Sequence, residues 1–456
     1  MERRQPRLGG RGIPLRGLLV PAWILGGATL ILLRQPGIPA VDTIWAEDGE
    51  IFLTDALLAS PLRTLAAPYA GYLNLLPRLM AGVVSLFPIA WASTLLAVAG
   101  ALAVSALSAY VFVASRELLV TRLARSLLAV MVLLLPAAGW ESLNNVTNLQ
   151  WSLLLPCLVA LLAPTSAGVV ASGVVGFVAA SSSPITLVLL PIAVHRFLRP
   201  PSGNARIVAI AYLVGALLQI AVSAITAENP LGVSTDPLAL PWMYGLRVAG
   251  SVVAGDWILP WAWSTLGFWS GFVALGIAVV IVAVGSAATR SLAPLAVAGL
   301  SFVLFAVPVV VRGTSLLAPL PGNMNLAVGS KWVVGPSLVL LMGILLGIDP
   351  NLHREAMGRW RIPSLALALG LTAMLGVSAV AGFRVPNERV HGPRWSEGIR
   401  SAARACGPDE EVTLVPVAPS GWSAAIPCRR IADDQGLVAT TSIWRPNSGH
   451  RNLSER

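Results

Sequence analysis

The sequence predicts an all-α polytopic membrane protein with about 11 transmembrane helices. Only 11% of its 456 residues are charged and 56% are hydrophobic, whereas soluble domains carry about 25% charged residues. Apolar stretches close to the roughly 20 residues needed to cross a bilayer recur from Leu18 to Phe383. Runs such as 126–136 do not alternate in polarity, which argues against a membrane β-barrel. The chain is therefore expected to thread a membrane as helices.

Eleven spans account for these apolar stretches. We expect them at residues 17–33, 88–114, 126–139, 149–163, 167–180, 184–194, 206–225, 265–285, 292–311, 333–348 and 364–383. Residues 72–87 are also apolar but include Asn74, Pro77 and Arg78, so we interpret them as a juxtamembrane or re-entrant segment. Nine or thirteen crossings are alternative counts, if the short apolar stretches pair differently.

The basic residues indicate orientation and do not suggest a nucleic-acid partner. The net charge is +10, and the threading above places 15 of the 31 basic residues on one side and six in the loops of the other. Positive residues concentrate on the cytoplasmic side. We therefore expect a cytoplasmic tail at residues 1–16, a retained first helix instead of a cleaved signal peptide, and an extracytoplasmic C-terminus.

Three domains follow from the composition. Residues 17–383 form the transmembrane domain, which includes a long first outer loop at 34–87. Residues 384–456 are expected to form a small extracytoplasmic α/β domain, with a helix at 394–405 and a strand at 411–417. Cys406 and Cys428 fall in this domain, where oxidation is permitted, and we predict a disulfide between them. Two separate buried thiols are the alternative, and Cys157 is assigned to packing within a span.

The first outer loop concentrates acidic side chains. Five of the chain's 21 acidic residues are found there: Asp42, Glu47, Asp48, Glu50 and Asp55. If a helix begins near Glu47, Asp48 and Asp55 lie two turns apart on one face, and two carboxylates could meet one cavity. They could simply complement the helix dipole. Alternatively, Asp48 or Glu47 is a general base whose pKa is raised beside an apolar wall.

This arrangement resembles the GT-C class of membrane glycosyltransferases. The resemblance lies in the acidic pair Glu47-Asp48 just after the first span, followed by juxtamembrane helices and many spans. The runs 45–49, 68–72 and 77–79 are similar to those of bacterial integral membrane proteins of this type. The class implies a bacterial cell membrane location and an inverting transfer from a polyprenyl-phosphate sugar. In that reaction a carboxylate deprotonates the acceptor hydroxyl, and the acceptor is a cell-envelope glycan or lipid.

Other outer residues are candidates for binding the substrates. The polar run between Trp140 and Trp151 could hydrogen-bond a sugar while an indole stacks on it, or it could be an interfacial aromatic belt. Its candidates, with Trp45 from the first loop, are Glu141, Asn144, Asn145, Asn148 and Trp151. A donor phosphate needs a cation, and Lys331, Arg312 and Arg78 are the candidates. Each of these could instead extend its charge to the membrane surface.

Two further hypotheses differ in class from a transferase. A transporter or lipid flippase could bind a proton or cation at the same carboxylates, but such proteins place ionisable residues near the bilayer midplane. If the protein is instead a scaffold, its function depends only on the C-terminal domain, and the carboxylates have no role in it. The sequence assigns no certain cofactor, although paired carboxylates could hold Mg²⁺ or Mn²⁺.

Overall fold

A computed structural model describes residues 15–226, 236–312, 326, 328–352, 360–407 and 410–433, without the side chains of 15–17 and 312. The described chain is a helical bundle with a small domain at one end. We call this domain the head; it comprises residues 384–407 and 410–433 and contains two β-strands. The first helices are α1 (Leu15–Leu33), α2 (Thr54–Leu58), α3 (Pro61–Ala66), α4 (Leu75–Val84), α5 (Ala92–Ala114), α6 (Arg122–Leu134), α7 (Leu149–Ser152), α8 (Leu154–Leu162), α9 (Val169–Ser182), α10 (Leu190–Leu198) and α11 (Gly203–Ile225).

The second half continues the bundle and ends in the head. Its helices are α12 (Ala239–Tyr244), α13 (Gly250–Val253), α14 (Leu259–Leu266), α15 (Trp269–Thr289), α16 (Ala293–Arg312), α17 (Lys331–Leu352), α18 (Arg361–Ala381), α19 (Trp395–Ala405) and α20 (Cys428–Asp433). The strands are β1 (Val412–Val417) and β2 (Trp422–Pro427). Two π-helical segments, Asp48–Leu53 and Gly245–Ala249, interrupt the α-helical pattern.

Seven helical stretches in the described residues are long and apolar enough to cross a membrane. They are Ile89–Glu117, Arg122–Gly139, Gly203–Ile225, Trp269–Thr289, Ala293–Val311, Lys331–Leu352 and Arg361–Ala381. The other four expected spans are also helical. Helix α1 has 19 residues, close to the length of a full crossing, whereas Leu149–Leu162, Val169–Ser182 and Pro184–Leu198 are shorter. The expected multi-pass class is therefore supported, while a count of 11 crossings is not established.

Helix α17 lies at the centre of the bundle. Of its most apolar window 94% is buried, against 28 to 56% for the other six stretches. Lipid supplies little hydrophobic drive between helices, so close contact depends on small residues. A Cβ atom at Gly285 of α15 would lie 2.8 Å from the Gly347 Cα atom of α17. Glycine at both positions therefore allows the two backbones to touch.

The segment 72–87 does not cross the bundle as a span. Its helix α4 has 10 residues, about half of what a bilayer requires. The backbone N–H of Leu76 donates to the Ser182 hydroxyl, 3.0 Å away. Ser182 ends α9, and the extended Ser183 breaks that helix before Pro184. A juxtamembrane or re-entrant position for this segment stays a prediction.

The head contains the predicted helix and strand. The two strands pair antiparallel, with Val412 opposite Pro427 and Val417 opposite Trp422. Helix α19 buries Trp395, Ile399 and Ala402, which lie on one face. Cys406 and Cys428 form the expected disulfide.

The head packs directly on the first outer loop. The N–H of Ala46 donates to the Ala418 carbonyl (2.6 Å), and the N–H of Ala418 donates to the Ile44 carbonyl (3.0 Å). One apolar cluster then joins the loop, helix α5 and the head. It includes Ile44, Leu53, Val84, Ile89, Leu96, Val146, Leu149, Trp395, Ile399, Val415, Val417, Ala424, Ile426 and Ile431. The loop and the head thus share a core, although about 300 residues separate them in sequence.

Candidate active site

The acidic pair lies on a helix that begins at Ala46 and ends at Leu58. The sequence analysis placed Asp48 and Asp55 on one face of a regular α-helix. Residues 48–53 instead form π-helical turns, in which bonds run from i to i+5 and each turn holds more residues. Asp48 contacts the loop at 146–147, whereas Asp55 forms an ion pair with Arg78 at 3.0 Å. The expected shared cavity of these two aspartates is therefore not formed.

The Asp48 carboxylate is buried and held by the loop before α7. It is 2% exposed, and it accepts hydrogen bonds from the backbone N–H groups of Val146 and Thr147, both at 2.9 Å. The Thr147 hydroxyl is a third donor. Burial raises the pKa of Asp48 to about 6, even though these three hydrogen bonds favour the charged form; the adjacent Glu47 charge raises it further. Both oxygens of Asp48 are thus engaged with the protein.

Glu47 differs because its two oxygens have different surroundings. The Tyr69 hydroxyl donates to Oε1 at 3.2 Å. The other oxygen, Oε2, is buried and accepts no hydrogen bond from the described residues. A buried carboxylate oxygen without a donor is costly, so a hydrogen-bond donor from a substrate or water would stabilise this atom. Within the pair, Glu47 is the residue with a carboxylate oxygen that lacks a hydrogen-bond donor among the described residues.

A tight turn brings Tyr69 to Glu47. Tyr69 and Tyr72 exchange backbone hydrogen bonds of 2.6 and 3.0 Å. Between them Ala70 has φ 47° and Gly71 has φ 80°, as in a type I′ turn. The two tyrosine rings meet edge to face at 5.2 Å, and Phe52 packs against Tyr69 at 5.3 Å. The Gln150 amide donates to the Tyr72 hydroxyl at 3.0 Å, which ties the turn to the polar loop.

Arg389 closes the site from the head side. Its guanidinium is fully buried and donates to the carbonyls of Leu143 and Asn144. It also lies 5.6 Å from the centre of the Trp45 ring, which is itself buried. Burial lowers the pKa of Arg389 to about 10, while the negative charge of Asp48 acts in the opposite direction. The head thus supplies a positive charge near the acidic pair.

The proposed phosphate-binding cations have different surroundings. Arg78 is 1% exposed; it pairs with Asp55 and donates to the Pro68 carbonyl at 3.1 Å. Lys331 is partly buried and is the first residue of α17. The side chain of Arg312 lies outside the described residues. Among the three, Arg78 is already committed to protein partners.

The amides of the polar loop are used within the protein. Asn145 and Asn148 both donate to the Glu141 carbonyl, and the side-chain oxygen of Asn145 accepts the N–H of Asn148 at 3.0 Å. Asn144 donates to the Ile31 carbonyl at 3.1 Å. Trp151 is 7% exposed, inside the main core. These residues shape the loop that holds Asp48.

Glu141 reaches the start of the central helix. Its carboxylate accepts the backbone N–H of Lys331 at 3.1 Å and the Ser330 hydroxyl at 3.4 Å. Negative charge is favourable at a helix N-terminus. Next to it, a small cavity is lined by Ala137, Trp140, Arg247, Ser251, Asp256, Leu326, Ser330 and Val333. Burial raises the pKa of Asp256, and the neighbouring Arg247 charge partly offsets this effect.

The acidic pair does not form a metal site in this arrangement. Three N–H and O–H donors already point at Asp48, and Tyr69 donates to Glu47. No group of three His, Cys, Asp or Glu side chains that could hold a metal occurs in the described parts of the chain. Divalent cations need several oxygen ligands, so the residues present do not fit Mg²⁺ or Mn²⁺ here.

Sequence analysis did not assign roles to Thr147, Asn74 or Arg389. Asn74 is fully buried and donates to the Thr147 carbonyl at 3.3 Å. The signal for Asn74 was its polarity in an apolar stretch, and Thr147 stood within the polar run. Arg389 gave no signal, because its contacts are 245 and 246 residues away.

Neither known protein families nor curated proteins match the chain. Among solved structures, the chain is similar to a crystal structure of the Archaeoglobus fulgidus oligosaccharyltransferase tethered to an acceptor peptide by a disulfide. The identity is 12% and the TM-score is 0.39, with 87% of this chain and 58% of that chain covered. This likeness is too weak to assign a fold or a function.

Proposed function

We propose that this chain is an inverting glycosyltransferase that moves a sugar from a polyprenyl-phosphate donor to an acceptor hydroxyl. The observation that carries the proposal is the state of Glu47. Its Oε2 atom is buried without a hydrogen-bond donor from the described residues, while Oε1 is held by Tyr69. A positioned carboxylate with one free oxygen suits a general base. Asp48, whose oxygens are both engaged, is assigned to positioning.

The transfer needs one base and one displacement. The acceptor O–H gives its proton to Oε2 of Glu47, and the acceptor oxygen attacks the anomeric carbon of the donor. The bond from that carbon to the lipid phosphate breaks, and its electron pair leaves with the phosphate. Attack from the opposite side inverts the anomeric configuration.

The remaining candidate residues receive roles consistent with their contacts. Lys331 is the proposed partner of the donor phosphate, together with Arg312, because the Arg78 guanidinium is paired with Asp55. The residues first considered for sugar binding are Glu141, Asn144, Asn145, Asn148 and Trp151, with Trp45 from the first outer loop. We assign them to shaping the site, because their described contacts are within the protein. The sugar and acceptor are proposed to enter beside the turn at 69–72.

We place the site at the extracytoplasmic face of a bacterial cell membrane. The Cys406–Cys428 bridge favours an oxidising compartment for the head. The arginine distribution of the sequence favours the opposite side for the N-terminus. A cell-envelope glycan or lipid is then the accessible acceptor, which is consistent with a donor held in the same membrane.

Transfer by reconstituted protein tests the proposal. Proteoliposomes containing the full chain are supplied with radiolabelled polyprenyl-phosphate mannose or glucose and a cell-envelope glycan extract. Wild-type protein is expected to move label to the extract, and Glu47→Gln is expected to lower the rate at least about 100-fold, because loss of a general base typically costs this much.

Glu50→Gln is the matched control. Glu50 lies on the same helix, is exposed, and accepts a hydrogen bond from the Ser423 N–H at 3.1 Å, so its variant should transfer at the wild-type rate. Full transfer by Glu47→Gln would remove Glu47 from the reaction. Movement of labelled lipid across the bilayer without any transfer would instead support the transporter or flippase alternative.

A further inference from the structure

We propose that Tyr69 is a positioning residue for Glu47, and that the turn Tyr69–Tyr72 exists to present it. This inference rests on the proposed function, because it concerns the same carboxylate. The Tyr69 hydroxyl donates to Oε1 of Glu47 at 3.2 Å. That bond orients the carboxylate and leaves Oε2 for the acceptor hydroxyl. In this proposal the Tyr69 hydroxyl acts through the carboxylate that it orients and is not itself required to exchange a proton.

The turn that carries Tyr69 has an unusual backbone. Ala70 has φ 47° and Gly71 has φ 80°. Positive φ is ordinary for glycine but uncommon for alanine. A residue stays in such a conformation only when its surroundings hold it there. Here the paired backbone bonds of Tyr69 and Tyr72 hold the turn closed.

Aromatic packing limits the movement of the Tyr69 ring. Phe52, on the helix of the acidic pair, packs against it at 5.3 Å, and Tyr72 meets it edge to face at 5.2 Å. Arg78 lies 5.3 Å from the centre of the Phe52 ring and donates to the Pro68 carbonyl just before the turn. The hydroxyl of Tyr69 is thus placed by contacts on both sides of the ring.

The two tyrosine hydroxyls have different partners, which provides a matched pair of variants. Tyr69 donates to Glu47, whereas the Tyr72 hydroxyl accepts the Gln150 amide. Each tyrosine can be changed to phenylalanine with its ring retained. The first variant removes a bond to the proposed base, and the second removes a bond to the loop.

Several charged groups surround the Glu47 carboxylate and could influence how the transfer rate depends on pH. On the same helix they are Asp48, Glu50 and Asp55. Arg78 approaches from α4 and pairs with Asp55. Arg389 approaches from the head and acts on Asp48. The test must therefore separate a change at Glu47 from a change at Asp48.

The experiment measures the pH profile of kcat/KM with the donor and acceptor described above. Tyr69→Phe is expected to lower kcat about 10-fold with little change in KM, because the orienting bond is lost. The acid limb should move to higher pH, since the ionised carboxylate loses a donor. Tyr72→Phe should keep the wild-type acid limb. Thr147→Val, which removes a hydroxyl from Asp48, should also keep it.

The outcomes separate this inference from the proposed function. A wild-type profile in Tyr69→Phe, with Glu47→Gln inactive, would overturn the positioning role and leave the base assignment intact. An acid limb that moves in Thr147→Val but not in Tyr69→Phe would assign the titration to Asp48 and would also overturn it. Full activity in Glu47→Gln would contradict the proposed function itself. Thermal unfolding of both phenylalanine variants confirms that each is folded.

Discussion

Thr147 holds Asp48 through both its backbone N–H and its hydroxyl, and Val146 adds a third hydrogen bond. The same arrangement recurs elsewhere in the bundle. Asp349, near the end of α17, accepts the N–H groups of Val120 and Thr121 and the Thr121 hydroxyl. In both places a buried aspartate binds a Val-Thr pair. The recurrence is consistent with a structural role for Asp48, as in the proposal that assigns the base to Glu47.

The raised pKa of Asp48 predicts a pH dependence of stability. Burial raises the pKa of Asp48 to about 6, from about 4 for an unperturbed aspartate. The folded state then binds this proton more tightly than the unfolded state. Its contribution is complete below about pH 4 and is lost as the pH rises through about 6. Two pKa units correspond to about 3 kcal/mol.

Thermal unfolding in detergent from pH 4 to pH 7 checks this prediction against Asp48→Asn, which cannot titrate. The stability of the wild type relative to the variant should fall across that interval. The same variant should also transfer sugar poorly, because an amide presents an N–H to a loop that already points donors at it. A stability difference that is constant with pH would contradict the prediction.

Arg389 is expected to anchor the head on the loop before α7. Arg389→Met would leave the carbonyls of Leu143 and Asn144 without their donors, and a buried unsatisfied group costs about 1–3 kcal/mol. The variant should unfold at lower temperature, and its head should be cleaved faster by protease. Arg384→Met is the control, because Arg384 is exposed and donates to the Leu33 carbonyl from the surface. Equal protease resistance in the two variants would contradict the anchoring role.

The disulfide should be present in the purified protein and should stabilise the head. The chain has three cysteines, and Cys157 is a buried free thiol. Alkylation in denaturant should add one group without reduction and three after reduction. The bridge joins residues 22 positions apart, a spacing for which the chain-entropy estimate is about 3 kcal/mol. Replacing Cys406 and Cys428 by serine should therefore speed proteolysis of the head, whereas Cys157→Ser should not. Three added groups before reduction would exclude the bridge.

Features that depend on local composition could be predicted from the sequence. Hydropathy located the helical stretches, because burial in lipid requires long apolar runs whatever their neighbours are. The strand predicted at 411–417 is observed at Val412–Val417, and the helix predicted at 394–405 is observed at Trp395–Ala405. The number of membrane crossings could not be predicted from the sequence in the same way. Short apolar helices packed inside the bundle have the same composition as true spans.

The sequence by itself determined that the chain belongs in a membrane and that its acidic residues concentrate after the first helix. Tertiary structure decided which carboxylate keeps one oxygen without a hydrogen-bond donor from the described residues. Asp48 is held by a residue 99 positions away, Glu47 by one 22 positions away, and Arg389 bridges the head to the loop before α7. The sequence alone does not distinguish two neighbouring carboxylates, because the properties of each depend on its burial and on its hydrogen-bond donors. Those donors come from distant segments that only folding brings together.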